Sequence, residues 1–269
     1  MNAETINFED TIENGRENEP FSADSRVDFV RHGKPEYTEE EIETGKYEGE
    51  LNDESKENVR RSAENFARNI NKEKEIIVFL TSPRNRAKET AEIYKDVFEK
   101  EEIFIYEEMI TKATLLRNTE LNADFLDNQE EAVNSGEISW DDWMEFWVDE
   151  SEKEKLSEGV ESPDEVRERV GKFIGLLKDS DILIRPPKNK KVHYICIGHE
   201  EIVRDLLEEG YDTGIAKGTN LDYGEKLRMD IYKSQSNKNA SLKLEYKSNE
   251  STLDFDATEK KFEKHKDNN

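Results

Sequence analysis

Short apolar runs alternate with stretches of helical periodicity along most of the chain. The runs have the length of buried strands, and they occupy residues 27–30, 76–80, 103–106 and 192–197. Apolar residues at three- and four-residue spacing predict helices over about 53–70 and 84–99. Two alternating runs, at 227–232 and 242–246, predict an antiparallel hairpin at one edge of the sheet. The pattern predicts an α/β fold, a three-layer α/β/α sandwich with a mostly parallel central sheet.

Capping signals mark the ends of two further helices. The sequence Ser-Pro-Asp-Glu that begins at Ser162 is a typical helix start, with Pro163 at N1 and Glu165 placed for a capping box. A helix over about 200–209 is expected to end at Gly210, a residue suited to the C′ position. Both helices lengthen the strand–helix alternation.

The same pattern divides the chain into a main domain and its extensions. Residues 1–25 are polar and acidic and predict an N-terminal extension, and the domain itself is expected over 26–250. Residues 251–269 are interpreted as a charged C-terminal tail. Within the domain, residues 111–160 break the alternation and predict a helical excursion, with the possibility of a lid.

Three tryptophans lie in that excursion. Trp140, Trp143 and Trp147 fall at i, i+3 and i+7, which places them on one face of a helix. Such a face packs the excursion over the main domain, or it contacts substrate as part of a lid. The sequence leaves both interpretations open.

Charge and cysteine content exclude several classes of protein. The 269 residues carry a formal net charge of -25, which argues against nucleic acid as a partner because the phosphate backbone would be repelled. No run approaches the length of a membrane span and the N-terminus has no signal-peptide pattern, so we expect no membrane partner and a cytoplasmic location. Cys196 is the only cysteine, which excludes an intrachain disulfide and predicts a buried, inert thiol.

Polar motifs follow three of the predicted strands directly. They are Arg31-His32-Gly33, Thr81-Ser82-Pro83-Arg84-Asn85-Arg86-Ala87 and Gly198-His199-Glu200. Because the carboxyl ends of parallel strands meet at one edge of a sheet, we expect these motifs to form a single site. The net charge of the chain is negative, so the binding of an anionic substrate would depend on the arginines of these motifs.

The residue types in these motifs suit phosphoryl chemistry. Arg31 and Arg86 can present planar guanidinium groups to phosphoryl oxygens, and Arg86 falls in the first turn of its helix, where an anion is also favoured. His32, with a neutral ring nitrogen, can act as a nucleophile, and His199 can donate a hydrogen bond. Gly33 is expected to allow a sharp turn of the chain beside the phosphate.

Two histidines lie outside the three motifs, and a metal site is the competing use of His32 and His199. His193, inside a strand, is predicted to serve packing or to lie at the surface, and His265 falls in the tail. A metal site usually needs a third ligand at close spacing, which neither His32 nor His199 has. We therefore expect no metal and no other cofactor.

The three motifs together resemble the histidine phosphatase superfamily, in its phosphoglycerate-mutase-like branch. The resemblance covers about residues 26–232 and implies the phosphoglycerate-mutase-like fold. It also implies that His32 is the phosphorylated nucleophile, and that Arg31, Arg86 and His199 form the phosphate pocket. Arg86 takes the family's arginine position because Ser-x-x-x-Arg-Ala fits Ser82 to Ala87, which leaves Arg84 for the rim or the surface.

The match is looser for the carboxylic acid that protonates the leaving oxygen in this family. The corresponding turn is Leu115-Leu116-Arg117-Asn118-Thr119-Glu120-Leu121, with Asn118 at the position expected for the acid. Asparagine cannot supply the proton, so Glu120 is the preferred candidate. Glu108 is the next, with Glu107 behind it.

These residues predict a metal-independent, histidine acid phosphatase-like phosphomonoesterase that forms a phosphohistidine. The substrate is expected to be a phosphorylated small molecule or a protein-borne phosphate ester. Lys34-Pro35-Glu36-Tyr37-Thr38 lacks the asparagine that phosphoglycerate mutases of the family carry after their RHG, which favours hydrolysis over mutase-type transfer. A non-catalytic phosphate-binding module that has lost its acid is the other alternative. The oligomeric state is left open.

Overall fold

The computed structural model describes residues 23–44, 48–106, 110–111, 113–117, 161–179, 186–187, 189–211, 221–234 and 239–265. Within this part of the chain the strands are β1 (Ser25–Arg31), β2 (Pro35–Glu36), β3 (Glu50–Leu51), β4 (Glu75–Thr81), β5 (Ile110–Thr111), β6 (Lys191–Gly198), β7 (Lys226–Lys233), β8 (Asn239–Tyr246), β9 (Asn249–Asp256) and β10 (Lys261–Lys264). The α-helices are α1 (Glu39–Thr44), α2 (Asp53–Ala67), α3 (Asn85–Lys100), α4 (Pro163–Lys178) and α5 (Glu200–Tyr211). A 3₁₀ turn spans Thr114–Leu116.

One mixed sheet organises these elements, in the strand order β10-β9-β8-β7-β1-β6-β4-β5. β1, β6, β4 and β5 run parallel to one another, whereas β7 pairs antiparallel with β1 and begins an antiparallel half that continues to β10. β2 and β3 form a separate two-stranded sheet. The predicted α/β fold with a parallel core is confirmed, and the antiparallel half is larger than the predicted hairpin.

Apolar side chains pack in two clusters. Successive residues of the central strands contribute alternately to one cluster and to the other. Phe29, Tyr194 and Cys196 contribute to the cluster that contains the apolar faces of α4 and α5. Val30 and Ile195 contribute to the cluster that contains those of α2 and α3. β4 is buried along its whole length, as expected for a strand in the middle of a parallel sheet. None of the helices in the described ranges is long and apolar enough to cross a membrane.

Helix α4 begins as its sequence predicts. The Ser162 side chain accepts a hydrogen bond from the Glu165 backbone N–H, and the Glu165 side chain accepts one from the Ser162 backbone N–H. This reciprocal pair is the capping box. Pro163 occupies the first helical position, where its missing N–H costs nothing.

One predicted strand and one predicted helix end were wrong. Residues 103–106 form no continuous strand, since only Ile105 makes a bridge, to Ile77, and the strand beside β4 is β5. Gly210 does not end its helix, because α5 continues through it to Tyr211. A Cβ atom at Gly210 would lie 2.9 Å from Leu244 Cδ1, so the glycine allows α5 to approach the sheet closely.

The predicted charged tail was wrong as far as residue 265. Its first part forms most of β9 and all of β10, which extend the antiparallel half of the sheet. Leu253, Phe255 and Phe262 are buried in the same cluster as the apolar faces of α4 and α5. Three well-spaced apolar residues therefore anchor two strands in a segment whose composition is otherwise charged.

Candidate active site

The three polar motifs converge at the carboxyl ends of β1, β4 and β6. These strands are neighbours, and their register places Arg31 opposite Gly198 and Thr81 opposite Ile197. The backbone N–H of His32 donates to Gly198 O at 3.0 Å, and that of Ser82 donates to Ile197 O at 2.9 Å. The sheet thus brings His32, Arg86 and His199 together, although 54 and 113 positions separate Arg86 from the two histidines along the chain.

Hydrogen bonds determine the tautomer of His32. Its Nδ1 lies 2.7 Å from Gly33 O, and because a carbonyl oxygen only accepts, Nδ1 carries the proton. Its Nε2 accepts a hydrogen bond from Arg86 Nε at 3.0 Å. Burial, together with the charge of Arg86, lowers the pKa of His32 to about 3. His32 therefore presents an unprotonated Nε2 to the site at neutral pH.

His199 takes the opposite tautomer. The Arg86 guanidinium, which only donates, lies with Nη2 3.4 Å from His199 Nδ1. The proton is then on Nε2, which donates to Ser82 Oγ at 2.8 Å. Burial lowers the pKa of His199 well below its usual value, and the neighbouring His32 and Arg86 lower it further. The two imidazole rings meet edge to face, with their centroids 4.9 Å apart.

Arg86 connects both histidines to the chain around them. It lies in the first turn of α3 and is buried. Besides its two histidine contacts, it donates from Nη1 to Glu48 O at 3.0 Å. Thr90, one turn along α3, donates to Arg86 O at 2.7 Å and accepts from the Gly33 N–H at 3.0 Å. These bonds hold the guanidinium and the Arg31-His32-Gly33 motif in one arrangement.

Arg31 approaches the site from the end of β1. Its Nη1 donates to Leu221 O at 2.7 Å and pairs with the Glu200 carboxylate. The guanidinium carbon lies 4.0 Å from the centre of the Tyr223 ring. The Nε atom of Arg31 is buried and has no hydrogen-bond partner. Arg31 is thus held through Nη1, and its buried Nε–H remains without an acceptor among the described residues.

The role predicted for Gly33 was wrong. Its backbone does not adopt the left-handed conformation that a sharp glycine turn requires. A Cβ atom at Gly33 would instead lie 2.7 Å from Val59 Cγ2 and 2.9 Å from Ser55 Oγ. Glycine is required because the motif packs directly against α2.

Carboxylates surround the arginines, which the sequence patterns did not indicate. Glu48 Oε1 lies 2.5 Å from Nη1 of Arg84, whose side chain is 38% exposed at the rim of the site. Glu200 pairs with Arg31, and burial raises the pKa of Glu200 although Arg31 opposes the change. No sequence signal distinguishes these glutamates in a chain with 65 acidic residues.

Several sequence-predicted residues lie outside the described part of the chain. They are Glu120, Asn118, Glu108, Glu107, Trp140, Trp143 and Trp147. The backbone just before Asn118 is bound by the buried Arg169, whose Nη1 donates to Leu115 O at 2.9 Å and to Arg117 O at 3.0 Å. Its Nε and Nη2 atoms each donate to Glu161 at 2.8 Å. The backbone that leads to the predicted acid is therefore held by a buried ion pair.

The remaining titratable residues of the predictions lie away from the histidine pair. His193 is buried, with Nε2 2.5 Å from Asp28 and Nδ1 2.8 Å from Glu75, and serves packing as predicted. His265 is exposed and pairs with Asp254 on β9. Cys196 is a buried free thiol whose pKa burial raises well above its usual value. The described residues contain no group of three or more His, Cys, Asp or Glu that could hold a metal ion.

This arrangement places two neutral histidines beside buried arginines at the carboxyl edge of a parallel sheet. The family model for the histidine phosphatase superfamily (branch 1) matches residues 27–238. The chain belongs to this superfamily, which confirms the family that its motifs predicted. Comparison with curated protein sequences finds no match.

Several solved structures are similar to this chain. A mycobacterial glucosyl-3-phosphoglycerate phosphatase is 17% identical, with a TM-score of 0.52 over 78% of this chain and 91% of that one. A structure described as mycobacterial hydrolase 1 is 16% identical, with a TM-score of 0.50 over 77% and 90%. A phosphoglycerate mutase from Bacillus anthracis is 14% identical, with a TM-score of 0.49 over 76% and 87%. At these identities the likeness to the glucosyl-3-phosphoglycerate phosphatase and to mycobacterial hydrolase 1 shows the fold alone.

Proposed function

We propose that the protein is a metal-independent phosphomonoesterase that hydrolyses its substrate through a phosphohistidine at His32. The observation that carries the proposal is the hydrogen bond from Arg86 Nε to His32 Nε2 at 3.0 Å, with the His32 proton held on Nδ1 by Gly33 O. The Nε2 lone pair becomes free for attack when the Arg86 donor turns to a phosphoryl oxygen, so an uncharged nucleophile and a guanidinium donor lie side by side. This is what attack on a phosphoryl group requires.

The reaction would proceed in two displacements. His32 Nε2 attacks phosphorus, the bond between phosphorus and the ester oxygen breaks, and the leaving oxygen takes a proton from the general acid. Water then attacks the phosphohistidine, loses a proton to the same carboxylate, and breaks the P–N bond to release inorganic phosphate. Arg86 donates to the equatorial oxygens in both steps, with the unpartnered Nε of Arg31 as a second donor.

Hydrolysis is favoured over the two alternatives. The residues that follow the RHG motif lack the asparagine of the mutase pattern, which argues against phosphoglycerate mutase-type transfer. A binding module without catalysis would not need Nε2 of His32 turned toward the site with the proton held on Nδ1, so this geometry favours catalysis. Release of nitrophenol and phosphate from p-nitrophenyl phosphate tests the proposal, because this substrate needs little help from a proton donor. If the pure protein binds phosphate but releases neither product, the binding module is the correct description.

Activity is expected to survive chelation. The arginines supply the positive charge that a divalent ion supplies in metal-dependent phosphatases. We therefore expect the rate of p-nitrophenyl phosphate hydrolysis to change less than about twofold in excess EDTA. Loss of activity that a single divalent ion restores would contradict the proposed chemistry.

Glu120 is proposed as the general acid. Changing Glu120→Gln is expected to slow alkyl phosphate hydrolysis by about 10²–10⁴-fold, the usual contribution of general acid catalysis. The rate with p-nitrophenyl phosphate should fall much less, because nitrophenolate leaves as a stable anion. The contrast between the two substrates is the measurement, since a general disturbance of the site would slow both equally.

The matched variant is Glu108→Gln, which changes the next candidate in the same way. If Glu120→Gln leaves both rates unchanged and Glu108→Gln produces the contrast, the acid is Glu108. Equal losses with both substrates in either variant would argue for a structural role of that glutamate.

A further inference from the structure

The arginines around the histidine pair are matched by carboxylates. Arg31 pairs with Glu200 at the first residue of α5, and Arg84 pairs with Glu48. Glu48 also provides the backbone oxygen that Arg86 binds. Each of the two outer arginines thus has an acidic partner in direct contact. Much of the positive charge that the motifs indicate is already balanced in the free protein.

A third carboxylate, that of Glu201, lies near Arg86. Glu201, the second residue of α5, lies within electrostatic reach of the Arg86 guanidinium and of the Tyr37 phenol. Its Oε2 atom is buried and accepts no hydrogen bond. No donor among the described residues binds this oxygen, and the Glu201 carboxylate acts on Arg86 by Coulombic attraction. We call Glu48, Glu200 and Glu201 the carboxylate ring.

The carboxylate ring changes what the site can accept. Among the described residues of the site, these three carboxylates equal Arg31, Arg84 and Arg86 in number, so the summed charge of the six side chains becomes negative once a phosphate dianion is bound. The alcohol part of the ester then lies in a negative field, and the net charge of -25 on the whole chain adds to it at long range. A carboxylate or second phosphate on the alcohol would be repelled, whereas a neutral or cationic alcohol would not.

Two aromatic side chains at the same mouth favour that kind of alcohol. Tyr37 is 37% exposed and lies within electrostatic reach of Arg86, and Tyr223 is 44% exposed with its ring against the Arg31 guanidinium. The Tyr223 ring lies 5.7 Å from the His32 ring, centre to centre. Exposed tyrosine faces attract cations and pack against apolar groups, and they offer no positive charge to an anion.

We propose that the carboxylate ring makes the site selective for phosphomonoesters whose alcohol carries no negative charge. The kinetic test of this selectivity rests on the proposed hydrolase function. The binding test depends on the charge of the site alone. The proposal excludes phosphorylated acids and nucleoside polyphosphates as preferred substrates, and it names neutral and cationic alcohols as the accepted class.

Three alkyl phosphates of similar size measure the preference. They are 3-phosphoglycerate, glycerol 3-phosphate and phosphoethanolamine, whose alcohols are anionic, neutral and cationic. We expect kcat/KM for 3-phosphoglycerate to be about 10-fold below that for glycerol 3-phosphate, and the gap to narrow as salt is added. Phosphoethanolamine should equal or exceed glycerol 3-phosphate. Equal or better hydrolysis of 3-phosphoglycerate would overturn the proposal.

Single isosteric variants assign the preference to the carboxylate ring. Glu201→Gln and Glu48→Gln should each raise the ratio of kcat/KM for 3-phosphoglycerate to that for glycerol 3-phosphate by about threefold. The matched control is Glu263→Gln, which removes the same charge from an exposed position on the edge strand β10. A ratio that changes as much in the control, or in none of the variants, contradicts the assignment.

Lys34 provides a further check, because it follows Gly33 directly and is exposed. If the wild-type protein prefers the anionic ester and Lys34→Gln abolishes that preference, the lysine governs selectivity and the carboxylate ring does not. Under the proposal, Lys34→Gln leaves the order of the three substrates unchanged.

Binding of non-hydrolysable phosphonates separates this proposal from the proposed function. Ethylphosphonate, 3-phosphonopropionate and 2-aminoethylphosphonate carry neutral, anionic and cationic tails, and calorimetry gives their Kd values without turnover. We expect 3-phosphonopropionate to bind about 10-fold more weakly than ethylphosphonate. This order with no hydrolysis of any ester would reject the hydrolase and keep the charge selectivity. Turnover of the esters together with equal phosphonate affinities would keep the hydrolase and reject the charge selectivity.

Discussion

Changing His32→Ala is expected to lower kcat for p-nitrophenyl phosphate by about 10⁵-fold or more, as losses of a covalent nucleophile do. Within the described residues, His199 is the other imidazole at the site, and its Nε2 proton is engaged by Ser82 while its Nδ1 faces Arg86. It is therefore poorly arranged to replace His32. Thermal unfolding of the variant should stay close to that of the wild type, because the imidazole makes its side-chain contacts within the site.

The covalent intermediate gives an independent measurement. Wild-type protein quenched during turnover under alkaline denaturing conditions should carry a phosphoryl group that is stable in base and labile in acid, and it should map to His32. The matched control is His265→Ala, which removes an exposed histidine that pairs with Asp254 far along the sheet. Substantial turnover or labelling in the His32 variant would remove this residue from the nucleophilic role.

Changing Arg86→Ala is expected to lower kcat/KM by about 10³–10⁵-fold, the range that a transition-state arginine contributes to phosphoryl transfer. The guanidinium donates to His32 and contacts His199, so its loss removes both a phosphate donor and the group that orients the nucleophile. Arg86→Lys keeps the charge and loses the planar donor edge, so most of the activity should still be lost. Arg61→Ala, which removes an exposed arginine on α2, is the matched control.

A pH profile distinguishes this role from a general loss of structure. The positive charge of Arg86 lowers the pKa of His32, so removing that charge raises the pKa. At a given acidic pH a smaller fraction of His32 is then neutral, and the acidic limb of the rate profile should move to higher pH. An unchanged acidic limb, or a loss no larger than that of Arg61→Ala, would contradict the assignment of Arg86.

The two predicted roles of Gly33 and Gly210 show where local patterns mislead. The local sequence predicts a turn at Gly33 and a helix end at Gly210, yet each glycine is needed because another side chain lies within 3 Å of where its Cβ would be. A residue's own neighbours in sequence carry the signal for a turn. They carry none for a close approach to Val59 or Leu244, which lie on other elements.

The prediction of a charged C-terminal tail was wrong for a related reason. Its composition resembles a solvated tail, and among its residues up to 265 the apolar positions that are buried are Leu253, Phe255 and Phe262. Their burial depends on the apolar faces of α4 and α5, which come from distant parts of the chain. An edge strand needs few buried residues, so composition underestimates it.

By itself, the sequence determined the parallel core, the family, and the placement of Arg31, His32, Arg86 and His199 at one sheet edge. Apolar strand patterns specify burial, and parallel pairing then forces the ends of β1, β4 and β6 to meet. Only the tertiary structure decided the tautomers of the two histidines and the carboxylates opposite the arginines. Those features depend on hydrogen bonds and charges between residues far apart in the chain, and in so acidic a sequence no local pattern shows which glutamates meet an arginine.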